Sequence, residues 1–439
     1  MTTMTKRTRS VWLTLGVGLL ATVVVASGGA PSDLPVMDGL PTAAAAEVGM
    51  SPARIARIEQ VMEAYVDRRD VAGVVSLVAR RGKVVHFSTY GSRDAEAGAP
   101  MTHDTIFRIA SMTKPVASVA LMMLYEEGHF QLRDPIAKWL PEFADMQVAA
   151  PATYQEVGRA RFRMEQASQP ITVQHLLTHT AGLPNTYRGI TKPDFDAIAP
   201  QREPGDTIEA FSARLAELPL NFHPGERWEY GRATDIVGRI VEVISGMPFD
   251  RFLQERIFAP LEMVDTHFYL PASKLDRFAA LYRPAEGGGL ALMEGPTADS
   301  RFVREPHSFF SGAGGLLSTA RDYFRFQQMM LNGGELDGVR ILGRKTVELM
   351  TLNHIGDHPI WLVGPGYGFG LGYAVVQDPG AAAMPYSPGS FFWWGAYNTT
   401  FWVDPQEDLI GILLTQLRPY THLNIRQDLA TLAYQAIVD

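Results

Sequence analysis

Cysteine is absent from the 439-residue sequence. Disulfides, thiolate nucleophiles and cysteine-based zinc sites are therefore excluded, and a lipoprotein anchor, which is built on a cysteine, is not expected. The absence also suits a protein exported to an oxidising compartment. Basic clusters are missing too. With Lys+Arg 39 against Asp+Glu 47, the formal net charge is −8, and no arm or face gathers the cations that a nucleic-acid binder needs. The Gly-x-Ser-x-Gly elbow of α/β-hydrolases does not occur either; the nearest string is "PYSPG" around Ser387. The Gly-rich "GAGGLLSTA" lacks the lysine of a phosphate loop, and no cofactor is implied. What remains is a chain 46% hydrophobic with mixed charge, long enough for two domains or one elaborated domain.

Lys6, Arg7 and Arg9 precede an apolar run from Val11 to Val25, and small residues follow in "ASGGA" and "TAAAAE". This order reads as a signal peptide over 1–30. A membrane span wants about 20 strongly apolar residues, and threonine and two glycines interrupt this run. Ala26, Ala30 and Ala46 are candidate cleavage positions. The expectation is export to the periplasm or medium with no stable membrane contact after cleavage; left uncleaved, the segment would act as an anchor. Residues 31–50 read as a Pro/Ala/Gly-rich linker and 51–439 as one domain.

Within that domain, Ser51-Pro52 reads as a helix cap and first-turn proline, with Ile55, Ile58, Met62, Tyr65 and Val66 on one face. "VVSLVARRGKVVHFSTYG" reads as a β-hairpin turning at Arg81-Gly82. An apolar helix follows over 111–127. Helical patterns alternate with Pro/Gly-rich loops over about 131–305, with few strand signals. Strands return at "GYAVV", "TTFWVDP" and "LIGILLTQ", and a helix closes the chain over about 423–437. The expected fold class is α/β (α+β): an antiparallel sheet built from about 51–130 and 306–439, flanked by helices, with a mostly helical insertion.

The sequence contains a single Ser-x-x-Lys, Ser111 and Lys114, at the start of the apolar helix. Positions i and i+3 on a helix face the same way, so the amine reaches the hydroxyl without help from the rest of the fold. Pro115 belongs in a first turn, which places Ser111 at the helix N-terminus. A serine needs a base to become a nucleophile, and a lysine base must be neutral, which burial favours. The spacing alone equally describes a capping serine followed by a solvated lysine.

The surrounding stretch "FRIASMTKPVASVALMMLYEEGHFQLRDPIAKWLPEF" resembles the active-site region of the serine β-lactamase-like superfamily, with the likeness greatest to class C β-lactamases and family VIII carboxylesterases. Further blocks follow in the family's order: "LLTHTAGLP", "PGERWEYGRATDIVGRIVEVISG", "PLEMVDTHF", "GAGGLLSTARDYFRFQQMMLNGG", "GYGFGLGY" and "FFWWGAYNTTFWVDP". The resemblance implies a β-lactamase/penicillin-binding-protein transpeptidase-like fold. It implies Ser111 as the acyl-accepting nucleophile, Lys114 as its base partner and Tyr230 as the proton-handling tyrosine of the Tyr-x-Asn element. It also implies an oxyanion hole from the backbone N–H groups of Ser111 and Ala396, with Trp393-Trp394-Gly395 as the third element; a shift of one residue would make that element Trp394-Gly395-Ala396. Gly395 is expected to let substrate approach the backbone.

Two departures bear on substrate. Trp393 stands where the lactamases carry the lysine that binds the drug's carboxylate, which favours a neutral ester. Arg232 replaces the asparagine of Tyr-x-Asn; on a helix start it is expected to face water, and pointing inward it would restore a cation for acidic substrates. His175 and His179 are four apart, but neither His-Glu-x-x-His nor a third ligand accompanies them, so no metal is expected. The expected activity is a serine hydrolase that forms an acyl-enzyme on small carboxylic esters. β-Lactamase, D-Ala-D-Ala peptidase and acyltransferase are alternatives, as is a penicillin-binding sensor or scaffold without turnover. The partner is a small-molecule ester or β-lactam.

Overall fold

The hairpin forms as read and lies toward one edge of the main sheet. Strand β1 (Gly73–Arg80) is buried along its whole length and pairs with β2 (Lys83–Asp94). Arg81 (φ 54°) and Gly82 (φ 74°) supply the two left-handed residues that a two-residue hairpin turn requires. The computed structural model describes residues 36–37, 39–151, 162–198, 205–304 and 306–439; the expected signal peptide lies outside the described residues. With β3 (Ala99–Pro100), β4 (Tyr367–Phe369), β5 (Ala374–Val376), β6 (Phe391–Gly395), β7 (Thr399–Asp404) and β8 (Leu409–Leu414), the order across the eight-stranded sheet is β4-β5-β6-β7-β8-β1-β2-β3. β8 pairs antiparallel with β1, Leu409 opposite Arg80 and Leu414 opposite Val75, so late and early segments share one sheet as expected.

Side chains alternate along a strand, and β7 uses both faces. Phe401 meets Tyr323 at 5.1 Å between ring centres, on helix α4 (Ala320–Leu331). Trp402 points the other way to Tyr386, whose ring meets Tyr434 of α5 (Ile425–Tyr434). α1 (Pro52–Asp67) lies beside α5, where Tyr65 donates a 2.6 Å hydrogen bond to Asp428. α2 (Thr113–Glu126) is buried from Thr113 to Leu124, as a helix apolar on every side must be, and packs on α3 (Ala233–Ser245) of the insertion.

Two features differ from the sequence reading. The insertion carries two small hairpins, Gln147–Ala150 with Arg163–Gln166 and Leu281–Pro284 with Leu290–Glu294. Such short strands hold too few residues to show alternation. Residues 39–50, read as linker, pack on the domain: Leu40, Val48 and Met50 are buried, and Thr42 bridges to Val84 and Met50 to Ile437. Their apolar positions are spaced among Pro, Gly and Ala, and backbone pairing holds them.

Candidate active site

The Ser111 segment enters α2 through a tight turn. Strand residues Phe107–Arg108 lead to a 3₁₀ turn at Ala110–Met112, and Ala110 takes φ 45°. A left-handed alanine costs about 1 kcal/mol or more and persists only where neighbours enforce it. Here they do. Ile109 N–H donates to the Leu316 carbonyl at 3.1 Å, Leu316 N–H donates to Thr113 Oγ1 at 3.1 Å, and Tyr323 donates to the Met112 carbonyl at 2.9 Å. Ser111 is thereby presented at the head of the buried helix.

Lys114 is 3% exposed. Its Nζ lies 3.2 Å from Ser111 Oγ and donates to the Ala313 carbonyl at 2.7 Å. Burial pulls the amine down to about 7, the Arg232 cation pushes the same way, and Asp235 opposes them. Near neutral pH a large fraction of the amine is therefore uncharged and able to accept the serine proton.

Tyr230 comes from the loop before α3. Its phenol hydrogen-bonds Ser111 and accepts from Trp393 Nε1 at 3.2 Å, while Lys114 Nζ sits 4.6 Å from the ring centre. Burial raises the phenol to about 12, against the opposing bonds from Ser111 and Trp393. Of the two, Lys114 is the one with a deprotonated form near pH 7, whereas Tyr230 stays protonated.

The third element departs from expectation. Trp393 is 1% exposed, and its indole N–H is committed to Tyr230. It orients the phenol and gives the cleft no open indole surface. The Trp394 ring stacks on Trp393 at 4.4 Å and lies beside Phe392 and beneath Arg426. At Gly395 the space that a side chain would need is taken by neighbouring residues. A Cβ there would fall 2.3 Å from the Ile109 carbonyl oxygen and 2.2 Å from Thr399 Oγ1. This fit draws the end of β6 against the nucleophile turn, and Ala396 joins one apolar cluster with Ala110, Leu281 and Tyr397.

Arg232 is only partly open to water. Its side chain is 26% exposed, pairs with Asp235 at 2.7 Å, and lines a cavity of about 160 Å³ with Phe268, Tyr269, Phe309 and Gly314. Asp235 is the residue that sequence reasoning missed. Fully buried, it accepts from Ser311 Oγ at 2.6 Å and Ala313 N–H at 3.0 Å, so it holds the loop whose Ala313 carbonyl receives Lys114. Gly312 lets that loop close, since a Cβ would lie 2.3 Å from the Thr234 carbonyl. The i,i+3 spacing of Arg232 and Asp235 is plain in the sequence, but it reads like any exposed helix pair.

The two histidines do not converge. His175 Nδ1 accepts the Thr172 N–H within a helix cap, whereas His179 is buried among Tyr230, Trp228 and Phe369. Burial, with Lys114 nearby, holds its pKa well below the usual imidazole range.

Arg232→Gln removes the cation beside Lys114 and leaves Asp235 to raise the amine's pKa. As a general base the amine would act when neutral, so the acid limb of kcat/KM is expected to move upward by roughly one pH unit, with the alkaline plateau retained. A pH–rate profile in which the limb stays put would refute the coupling.

Residues 58–435 match the family model described as Beta-lactamase. Protein Rv1367c of Mycobacterium tuberculosis (strain ATCC 25618 / H37Rv) is 39% identical over 363 residues, 80% of this chain and 86% of that protein. Esterase EstB of Burkholderia gladioli is 32% identical over 388 residues, 82% of this chain and 90% of its own length. Among solved structures, "EstCE1, a hydrolase with promiscuous acyltransferase activity" has a TM-score of 0.74 at 26% identity, covering 87% of this chain and 99% of that one.

Proposed function

The chain belongs to the beta-lactamase family, and from that premise we propose that it is a serine hydrolase, a carboxylesterase that forms an acyl-enzyme on Ser111 from small acyl esters. The fold is that of the β-lactamase-like esterases and acyltransferases. The observation that carries the reading is the buried Lys114 amine, lowered to about 7 and 3.2 Å from the Ser111 hydroxyl. Kinship with a protein named as an esterase supports it.

In the proposed reaction Ser111 Oγ attacks the ester carbonyl carbon and its proton passes to Lys114 Nζ. Backbone donors at Ser111 and Ala396 stabilise the oxyanion. As the tetrahedral adduct collapses, Tyr230 gives its proton to the departing alcohol oxygen and is recharged from Lys114. Water then attacks the acyl-serine by the reverse proton path. A neutral ester is favoured over an anionic β-lactam because the charge of Arg232 is answered by Asp235 and Trp393 carries none. Export is part of the proposal, on the basic and then apolar N-terminus.

Initial rates on p-nitrophenyl butyrate and a chromogenic cephalosporin test the reading. Ester turnover with little cephalosporin cleavage is the expected result. Fast cephalosporin cleavage would make the protein a β-lactamase, with Arg232 as the replacement cation.

A further inference from the structure

Tyr230 is one member of a closed ring of four aromatic side chains. Its ring stacks on Trp228 at 6.0 Å; Trp228 meets Trp361 at 6.1 Å, Trp361 meets Tyr187 at 6.2 Å, and Tyr187 returns to Tyr230 at 5.6 Å. The inner pair is buried, Tyr230 at 5% and Trp228 at 3%, whereas Tyr187 is 51% exposed and Trp361 38%. An aromatic surface therefore runs from the phenol out to solvent. Two large rings left open side by side at a cleft are unusual unless something covers them.

Both outer rings are held in place. Asn185 Oδ1 accepts the N–H groups of Tyr187 (2.8 Å) and Arg188 (3.2 Å), and Asn185 Nδ2 donates to buried Glu229 at 2.8 Å. The segment bearing Trp361 is pinned where His358 Nε2 donates to the Gly225 carbonyl at 3.1 Å. The Arg188 guanidinium lies 3.7 Å from the Trp361 ring centre and ties the two segments together.

We propose that Tyr187 and Trp361 form a leaving-group subsite that binds a flat aromatic alcohol moiety of the ester. The assignment rests on the acyl-enzyme reading above, in which Tyr230 protonates the departing oxygen; the group attached to that oxygen then lies on the rings next to the phenol. Aromatic boxes also bind ammonium groups, but the Arg188 cation already lies over one face of Trp361, and Arg232 and Arg418 act on the Tyr187 hydroxyl. A cationic alcohol such as choline is thereby disfavoured.

The test compares 2-naphthyl butyrate with ethyl butyrate, and measures 2-naphthol binding by calorimetry, for the wild type, Tyr187→Phe and the double variant Tyr187→Ala/Trp361→Ala. The double variant is expected to lower the naphthyl-to-ethyl ratio of kcat/KM about tenfold, mainly through KM, and to weaken naphthol binding similarly. Tyr187→Phe retains both. Both side chains are exposed, so truncation opens no core cavity. A ratio and a naphthol affinity unchanged in the double variant overturn the subsite. Naphthol binding lost in the double variant, together with no ester turnover by the wild type, upholds the subsite and overturns the esterase reading instead.

Discussion

Ser111→Ala is expected to lower ester turnover at least about 10⁴-fold while changing stability by no more than about 1 kcal/mol. The hydroxyl's two partners each keep another contact. Lys114 retains the Ala313 carbonyl at 2.7 Å, and Tyr230 retains the Trp393 indole at 3.2 Å, so no buried polar group is orphaned. What disappears is the atom proposed to bond the acyl group, and in that proposal neither Lys114 nor Tyr230 can substitute for it. Initial rates beside thermal unfolding separate the two effects, and intact mass after fluorophosphonate treatment reports the adduct directly. A fully active variant would sink the nucleophile assignment. Lost activity with a collapsed melting curve would make Ser111 structural.

Lys114→Met is expected to abolish turnover and, at pH 7, to raise stability. An amine near 7 in the folded protein compares with about 10.4 in an unfolded chain, a difference that opposes folding by roughly 4 kcal/mol at pH 7. Losing the bond to Ala313 leaves that carbonyl unpaired, at a cost of about 1–3 kcal/mol. The net gain at pH 7 is therefore roughly 1–3 kcal/mol. The sign follows from proton counting. Between about pH 7 and 10.4 the unfolded state of the wild type binds more protons, so its stability rises with pH across that window. The methionine variant lacks this rise, and its advantage vanishes toward the upper end. Urea unfolding at pH 7 and pH 10 checks both the gain and its disappearance. Equal pH slopes in the two proteins would show that the amine is not held neutral by the fold. Tolerating a destabilising buried amine is what a group retained for chemistry looks like.

Several parts of this molecule are legible in the chain of residues alone. The Arg81-Gly82 turn, the burial of α1 through Ile55, Ile58 and Met62, and the return of strands at 399–404 and 409–414 follow from local pattern. Periodicity and turn chemistry act over neighbouring residues and survive in one dimension. The strand pairs Gln147–Ala150 with Arg163–Gln166 and Leu281–Pro284 with Leu290–Glu294 are too short to show alternation, and the packing of residues 39–50 leaves no such trace because its partners are distant in sequence.

The site divides along the same line. That Ser111 and Lys114 meet is written in their spacing, since three residues on one helix place hydroxyl and amine together whatever surrounds them. What the pair can do is set by how distant segments pack around it. Burial and the Arg232 charge bring the amine near 7. Trp393 turns inward to orient Tyr230, Gly395 lets the Ile109 carbonyl pack against β6, and Asp235 holds the loop that receives Lys114. Those outcomes depend on desolvation and on contacts among segments far apart in the chain, and neither quantity is encoded in the spacing of neighbouring residues.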